Sequence, residues 1–428
     1  MATAAEEAGL VTDERAARRV ALGVTVVAAV GFAIVALVWV PWQPVAGGTP
    51  RAVAADSVFT PLEIRRGEDY ASWARLWSLS SLIISLAVAS ALGFSRWGAL
   101  LMARLPGPWW VRVVLGVAMI GLVGRLATLP CSVMLQRHRL ANGLSNQSWA
   151  GYARDLVVSE AVAVLATSLA LLVLIGVARR WTRAWPAVGA FVVGAMVVLT
   201  SFVYPVVVEP LFNDFVPLEQ GDLRSAILEL ATQEGVHVDD VLVADASRRT
   251  TTLNAYVSGF GATRRVVVYD TLVESLSQDE ALSVVAHELA HAEHDDVVIG
   301  TALGALGSAA GVGLLGLVLT RRGRRLPMAD PGVVPVVLAL TLWATLAASP
   351  LQNGISRQIE TRADVDALAA TEEGPAFIEM QRTLALRSRA DPTPPTWLHW
   401  WWGSHPTTLQ RVALAESFRS GNGGDPVR

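Results

Sequence analysis

Ser277-Gln-Asp-Glu-Ala-Leu-Ser-Val-Val-Ala-His-Glu-Leu-Ala-His291 is the stretch from which the rest of the chain can be read. Ser277 followed three residues later by Glu280 has the form of a helix-opening capping box, and no breaker follows before His291. On such a helix His287 and His291 lie one turn apart on the same face, so their imidazoles can converge on one metal ion. Glu288, beside the first histidine, is then placed to act as a general base on water. With seven histidines in the whole chain, this spacing has little opportunity to arise by chance. The competing reading is a polar helix face carrying two unrelated histidines.

A catalytic zinc needs a third protein ligand and an open position. Downstream, Ser356-Arg-Gln-Ile-Glu360-Thr-Arg-Ala-Asp364 offers two carboxylates at i and i+4 on one helical face. One could bind the metal while the other orients a ligand histidine through its second ring nitrogen. An exposed charged helix would show the same spacing.

The surroundings of these motifs are apolar. Charged residues make up 17% of the 428 and hydrophobic ones 53%, too little polar surface for a soluble globule of this size. Seven apolar stretches have spanning length, near residues 20–41, 76–94, 113–135, 156–178, 185–208, 297–319 and 332–351. The first ends in an aromatic Val-Trp-Val-Pro-Trp42 cluster and is too long for a cleaved signal peptide. Residues 209–296 are the segment densest in acids, with 17 of the 37. There Asp222–Glu234 reads as an amphipathic helix, and Val241–Ala244 and Arg265–Tyr269 as valine-rich strands. The expected organisation is a membrane part with five spans (1–208), a soluble catalytic insert (209–296), two further spans (297–351) and a catalytic C-terminal segment (352–428) ending in a disordered tail. An even pair of spans returns Glu360 to the membrane face of His287.

With these elements in place, the sequence resembles the type I CAAX prenyl endopeptidases and the related HtpX-type membrane proteases. His-Glu-Leu-Ala-His291 and Ser-Arg-x-x-Glu-x-x-Ala-Asp364 carry the likeness. So do Asn254-Ala-Tyr-Val-Ser-Gly259, Arg265-Val-Val-Val-Tyr-Asp-Thr-Leu272 and Ser404-His-Pro406, in family order. Seven spans favour the CAAX-type architecture. The resemblance implies a mainly α fold: a seven-span transmembrane bundle enclosing a chamber, with a small α+β metalloprotease domain. It implies one Zn2+ per chain held by His287, His291 and Glu360, Glu288 as general base and Asp364 orienting a ligand. His405 would stabilise the oxyanion, as an imidazolium could; without the resemblance it reads as a turn residue. Asn254 and Ala255 fall where the family's edge strand pairs with substrate backbone. Two residues depart from the family pattern, Ala290 in place of a glycine and Thr361 in place of an aromatic.

The implied activity is peptide-bond hydrolysis by an integral-membrane zinc metalloendopeptidase. Its expected partners are a peptide or protein substrate, membrane-embedded or lipidated, and the lipid bilayer. A catalytically inactive scaffold or a transporter are the rival classes; the first would lack a ligand or the base. A net charge of −3 gives no basic field for nucleic acid. All 34 basic residues are arginines, a sign of GC-rich coding that points to a bacterial plasma membrane. Such a host offers membrane proteins for processing or quality control rather than prenylated ones. Arg179–Arg183 and Arg321–Arg325 are basic loops opposite the catalytic segments. The positive-inside rule would put those loops in the cytoplasm, whereas the resemblance opens the site to the cytosol. Arg125 and Glu160, both in apolar spans, read equally as residues of a wet chamber or as a salt bridge. Cys131 reads as a small buried apolar residue, and His294 as a solvated or ligand-supporting one.

Overall fold

The computed structural model describes residues 4–259, 261, 264–320 and 327–419. The expected disordered tail and the basic loop Arg321–Arg325 lie outside the described residues, apart from Arg419. Five long helices dominate the first half: α1 (Ala4–Trp39), α3 (Pro61–Phe94), α5 (Trp109–Ala141), α6 (Trp149–Arg180) and α7 (Trp185–Val203). Short helices α2 (Ala55–Val58) and α4 (Arg96–Arg104) link them. Thr60 opens α3 with a capping box to Glu63, and Ser148 caps α6 through the backbone N–H of Gly151.

The polar insert folds as β1 (Phe215–Pro217), α8 (Asp222–Gln233), β2 (Asp240–Ala244), β3 (Ala255–Ser258), β4 (Arg265–Tyr269), α9 (Asp270–Ser275) and α10 (Gln278–Glu293). Its sheet runs β1-β2-β4-β3, with β2 and β4 parallel and both outer pairs antiparallel. Val241, Val266 and Val268 of the central strands are buried with Leu272, Val285, Leu289, Leu368 and Phe377 in one core. Each valine or leucine so enclosed contributes about 1.5–3 kcal/mol. The core joins α10 to α12 and α13, so it fixes the metal-site helix against the C-terminal segment.

After α10 come α11 (Asp296–Leu319), α12 (Val334–Thr371), α13 (Gly374–Ser388), α14 (Thr396–Trp402) and α15 (Thr408–Arg419). Among the described residues, seven helices are long and apolar enough to cross a membrane. The seventh departs from the reading of a span that ends near 351 and a separate helix after it. α12 continues through Pro350 to Thr371, so the apolar span and the Glu360 segment are one rod. A proline inside a long helix is tolerated where neighbours satisfy the freed carbonyl.

Many apolar side chains face outward, among them Val27, Leu165 and Phe191 at over 70% exposed, as a lipid-facing surface requires. The apolar window of the fifth span has 0% of its residues buried. Its contact with α11 is made by partly exposed residues, as where Ser201 Oγ meets Thr301 Oγ1 at 3.0 Å. Where spans do touch, small residues set the approach. Gly313 of α11 lies so close to α1 that an added Cβ would stand 2.4 Å from Thr25 Oγ1. Between α5 and α6, Arg125 Nε donates to Glu160 Oε2 at 2.9 Å, so the two intramembrane charges form a salt bridge, with both side chains partly accessible. At the other end, Arg183 and Thr182 both reach Asp13, and Arg179 donates to the Ala329 carbonyl. The N-terminal segment and these loops therefore share one face, as the parity of spans requires.

Candidate active site

α10 begins as the sequence predicts: Ser277 N donates to Glu280 Oε2 at 2.8 Å, closing the capping box. It ends at His294, and Asp295 turns the chain through a left-handed conformation (φ 52°) into α11. That sharp turn brings Asp296, the first residue of α11, back to His291. Asp296 Oδ2 accepts from His291 Nδ1 at 2.9 Å. From α12, Asp364 Oδ1 lies 3.0 Å from His287 Nδ1, close enough to pair with it electrostatically.

With each Nδ1 facing a carboxylate, both Nε2 atoms are free to point at a common centre. They lie 3.3 Å apart. Glu360 completes the group, its Oε2 at 3.2 Å from His287 Nε2 and its Oε1 at 3.8 Å from His291 Nε2. One ligand atom from each of the three lies within 4.8 Å of the other two. Nitrogen and oxygen ligands around a tetrahedral zinc, bound at about 2.0–2.1 Å, stand about 3.3 Å from one another. The donor set therefore fits a small divalent cation in type, number and spacing.

The charges agree with that fit. Burial alone would lower the His287 pKa, but the carboxylates of Asp364 and Glu360 outweigh it and push it up to about 10. The pocket thus draws positive charge to the point where a cation would sit. Glu288 is half-buried, and burial raises its pKa while both histidines pull it down. A carboxylate lifted toward neutrality is a better proton acceptor than an ordinary one.

His405 comes from the turn between α14 and α15, with Nε2 3.3 Å from Glu360 Oε2 and its side chain 58% exposed. Ser404 Oγ lies 2.8 Å from its Nδ1, which leaves Nε2–H as the donor when the serine hydroxyl donates. Desolvation lowers the His405 pKa, with Glu360 opposing and Arg411 assisting. Asn254 and Ala255 stand at the start of β3, the edge of the sheet, which packs on α10. The Asn254 carbonyl accepts from Tyr269 N at 3.0 Å, and Ala255 is paired with Val268. The outer side of β3 has no strand partner among the described residues. Of the two departures from the family pattern, Ala290 is buried in α10 and Thr361 Oγ1 donates to the Arg357 carbonyl at 2.7 Å.

Three charged residues of the site escaped the sequence reading. Arg411 of α15 donates from Nη2 to Glu360 Oε2 at 3.0 Å and holds Nε 3.1 Å from Asp364 Oδ2. Arg362 pairs with Asp296 on the side away from His291, and Asp296 itself was overlooked. An acid at the first residue of a membrane span, five residues past a candidate ligand, was the available signal for it. For Arg411, more than 40 residues from its partners, the sequence carries none. His294 is not a ligand; its Nε2 meets Asp366 Oδ2 at 3.0 Å.

Residues 217–418 match the profile of peptidase family M48. Over 308 residues the chain is 31% identical to YhfN of Bacillus subtilis, named as an uncharacterized metalloprotease, covering 70% of this chain and 72% of that one. The chain belongs to peptidase family M48. M48 membership and seven spans together make it an integral-membrane metalloendopeptidase, not a transporter. A CAAX prenyl protease 1 homolog of Oryza sativa subsp. japonica is 31% identical over 243 residues, 52% of this chain and 53% of the relative. The chain thus aligns with about half the length of that relative. The crystal structure of S. mikatae Ste24p superposes with a TM-score of 0.76 at 19% identity, across 93% of this chain and 99% of that one. Its seven-span chamber fold with a small α+β unit is the fold expected from the sequence.

Proposed function

We propose that this M48 enzyme is a zinc metalloendopeptidase of a bacterial plasma membrane, acting on membrane or membrane-associated proteins. One observation carries the reading: Asp364 and Asp296 each engage a histidine Nδ1, which turns both Nε2 atoms and Glu360 onto one point. His287, His291 and Glu360 would hold the ion. Zinc bound there supplies Lewis acidity, which acidifies water and polarises a carbonyl.

Glu288 accepts the proton of the attacking water and passes it to the leaving amine, a role its raised pKa suits. His405 donates its Nε2–H to the oxyanion. Asp364 and Asp296 keep the two histidines in one tautomer, and Arg411 offsets the negative charge that Glu360 and Asp364 bring into the interior. The unpaired side of β3 at Asn254 and Ala255 offers backbone groups to an extended substrate, orienting the scissile bond by β-augmentation.

Arginine-only basic usage and the likeness to a Bacillus subtilis relative support the bacterial setting. In such a membrane, unmodified membrane proteins are the available substrate class. Reconstituted wild type and Glu288→Gln should be compared on a farnesylated peptide and on an unmodified membrane-protein substrate. Cleavage of the membrane protein by wild type alone is expected. Exclusive cleavage of the farnesylated peptide would overturn the substrate class, and equal cleavage by Glu288→Gln would overturn the mechanism.

A further inference from the structure

Two adjoining cavities lie away from the metal site, on the same membrane face. One, of about 320 Å³, opens between the first turns of α3 and the end of α13. The other, of about 250 Å³, lies between α3 and the last turns of α5. Arg66 and Arg389 line both. Neither guanidinium has a hydrogen-bond or ion-pair partner among the described residues. Arg387 adds a third positive charge, bound among the described residues only to the neutral Ser275 Oγ at 3.1 Å. Of the two lining acids, Glu63 is already neutralised by Arg382 at 2.8 Å, which leaves Asp69 against three arginines.

Arg389 sits in the left-handed region (φ 53°), where it closes α13. Glycine fills that position without strain and an arginine does not. The side chain is thus kept at the cavity against a backbone preference.

The cavities also sit at a defined depth. The apolar stretch of α3 begins near residue 76 and that of α5 ends near 135. Trp73 and His138, which line the second cavity, are each three residues outside those limits, about 4–5 Å along the helix axis. That is the headgroup layer. Trp73 is 53% exposed there, as an interfacial aromatic would be. Tyr70 stacks on His138 at 4.7 Å, tying α3 to α5 at the same level.

We propose that Arg66 and Arg389 form a binding site for the phosphate headgroup of an acidic phospholipid. Guanidinium forks match phosphate oxygens in shape and charge, and basic pockets between spans are suited to anionic headgroups. A zwitterionic headgroup would bring its own cation and gain less. Because α13 packs on α10, a seated headgroup braces the catalytic unit against the membrane bundle.

The test is native mass spectrometry of the full chain in neutral detergent, titrated with phosphatidylglycerol or phosphatidylcholine. Wild type should retain phosphatidylglycerol and not phosphatidylcholine. Retention should fall roughly tenfold or more in Arg66→Gln/Arg389→Gln, and stay unchanged in Arg104→Gln, an exposed arginine at the other end of the α3 span. Arg389→Gly removes the guanidinium while relieving the backbone, so it should unfold no earlier than wild type and still lose lipid. Equal retention by wild type and the double variant would overturn the site. Displacement of the lipid by a tenfold excess of inorganic phosphate would assign the site to free phosphate and overturn the lipid.

Discussion

Asp364, fully buried on α12, lies between His287 and Arg411: its Oδ1 is 3.0 Å from His287 Nδ1 and its Oδ2 is 3.1 Å from Arg411 Nε. A carboxylate in that position makes the histidine a stronger ligand and fixes the nitrogen it presents. Asp364→Asn should therefore weaken zinc affinity by about 10–100-fold, read by competition with a chromogenic chelator. Asp366→Asn, two residues along but facing His294, should leave the affinity unchanged. Equal loss in both variants would mean that α12 had simply been destabilised.

His294 gives the fold a pH dependence of stated sign. Its hydrogen bond to Asp366 raises its pKa, with burial opposing. A pKa above the unfolded value of about 6.5 means stability that is present in full below that pH and lost as pH rises through the folded pKa. The thermal midpoint of His294→Gln should fall further below wild type at pH 5.5 than at pH 9. A gap that widens toward pH 9 would reverse the assignment.

Arg125 and Glu160 meet inside the spans, where a lone charge is costly. Arg125→Leu or Glu160→Leu alone should lower thermal stability in detergent, and the double Leu variant should recover most of the loss. Additive losses would show that the two charges act separately.

The crossing of α1 and α11 depends on Gly313. Gly313→Leu drives a side chain into Thr25, whose backbone nitrogen stands 2.8 Å from an added Cβ. A destabilisation of about 1–3 kcal/mol is expected, seen as earlier thermal unfolding, with specific activity of the folded fraction preserved.

What could be read beforehand was local. The capping box at Ser277, the i,i+4 pair of histidines and the valine runs of β2 and β4 are encoded within a few residues of themselves, and each formed where expected. The spans were legible because length and apolarity suffice to define them. Asp296 was not, because only the left-handed turn at Asp295 returns it to His291. Arg411 reaches Glu360 from 51 residues away through the packing of α15 on α12, and no spacing rule covers such a contact. The continuity of α12 was hidden by its change of composition after Pro350, since polarity marks where a helix leaves the membrane and not where it ends.

Metal content and turnover measured together test the central claim most directly. Wild type, Glu288→Gln and Glu360→Gln, purified without chelator and resupplied with zinc, should be assayed by elemental analysis and for proteolysis of the same membrane-protein substrate. One zinc per chain is expected in wild type and Glu288→Gln, markedly less in Glu360→Gln, with cleavage by wild type alone. Wild type that binds no zinc, or Glu288→Gln that cleaves at the wild-type rate, would contradict it.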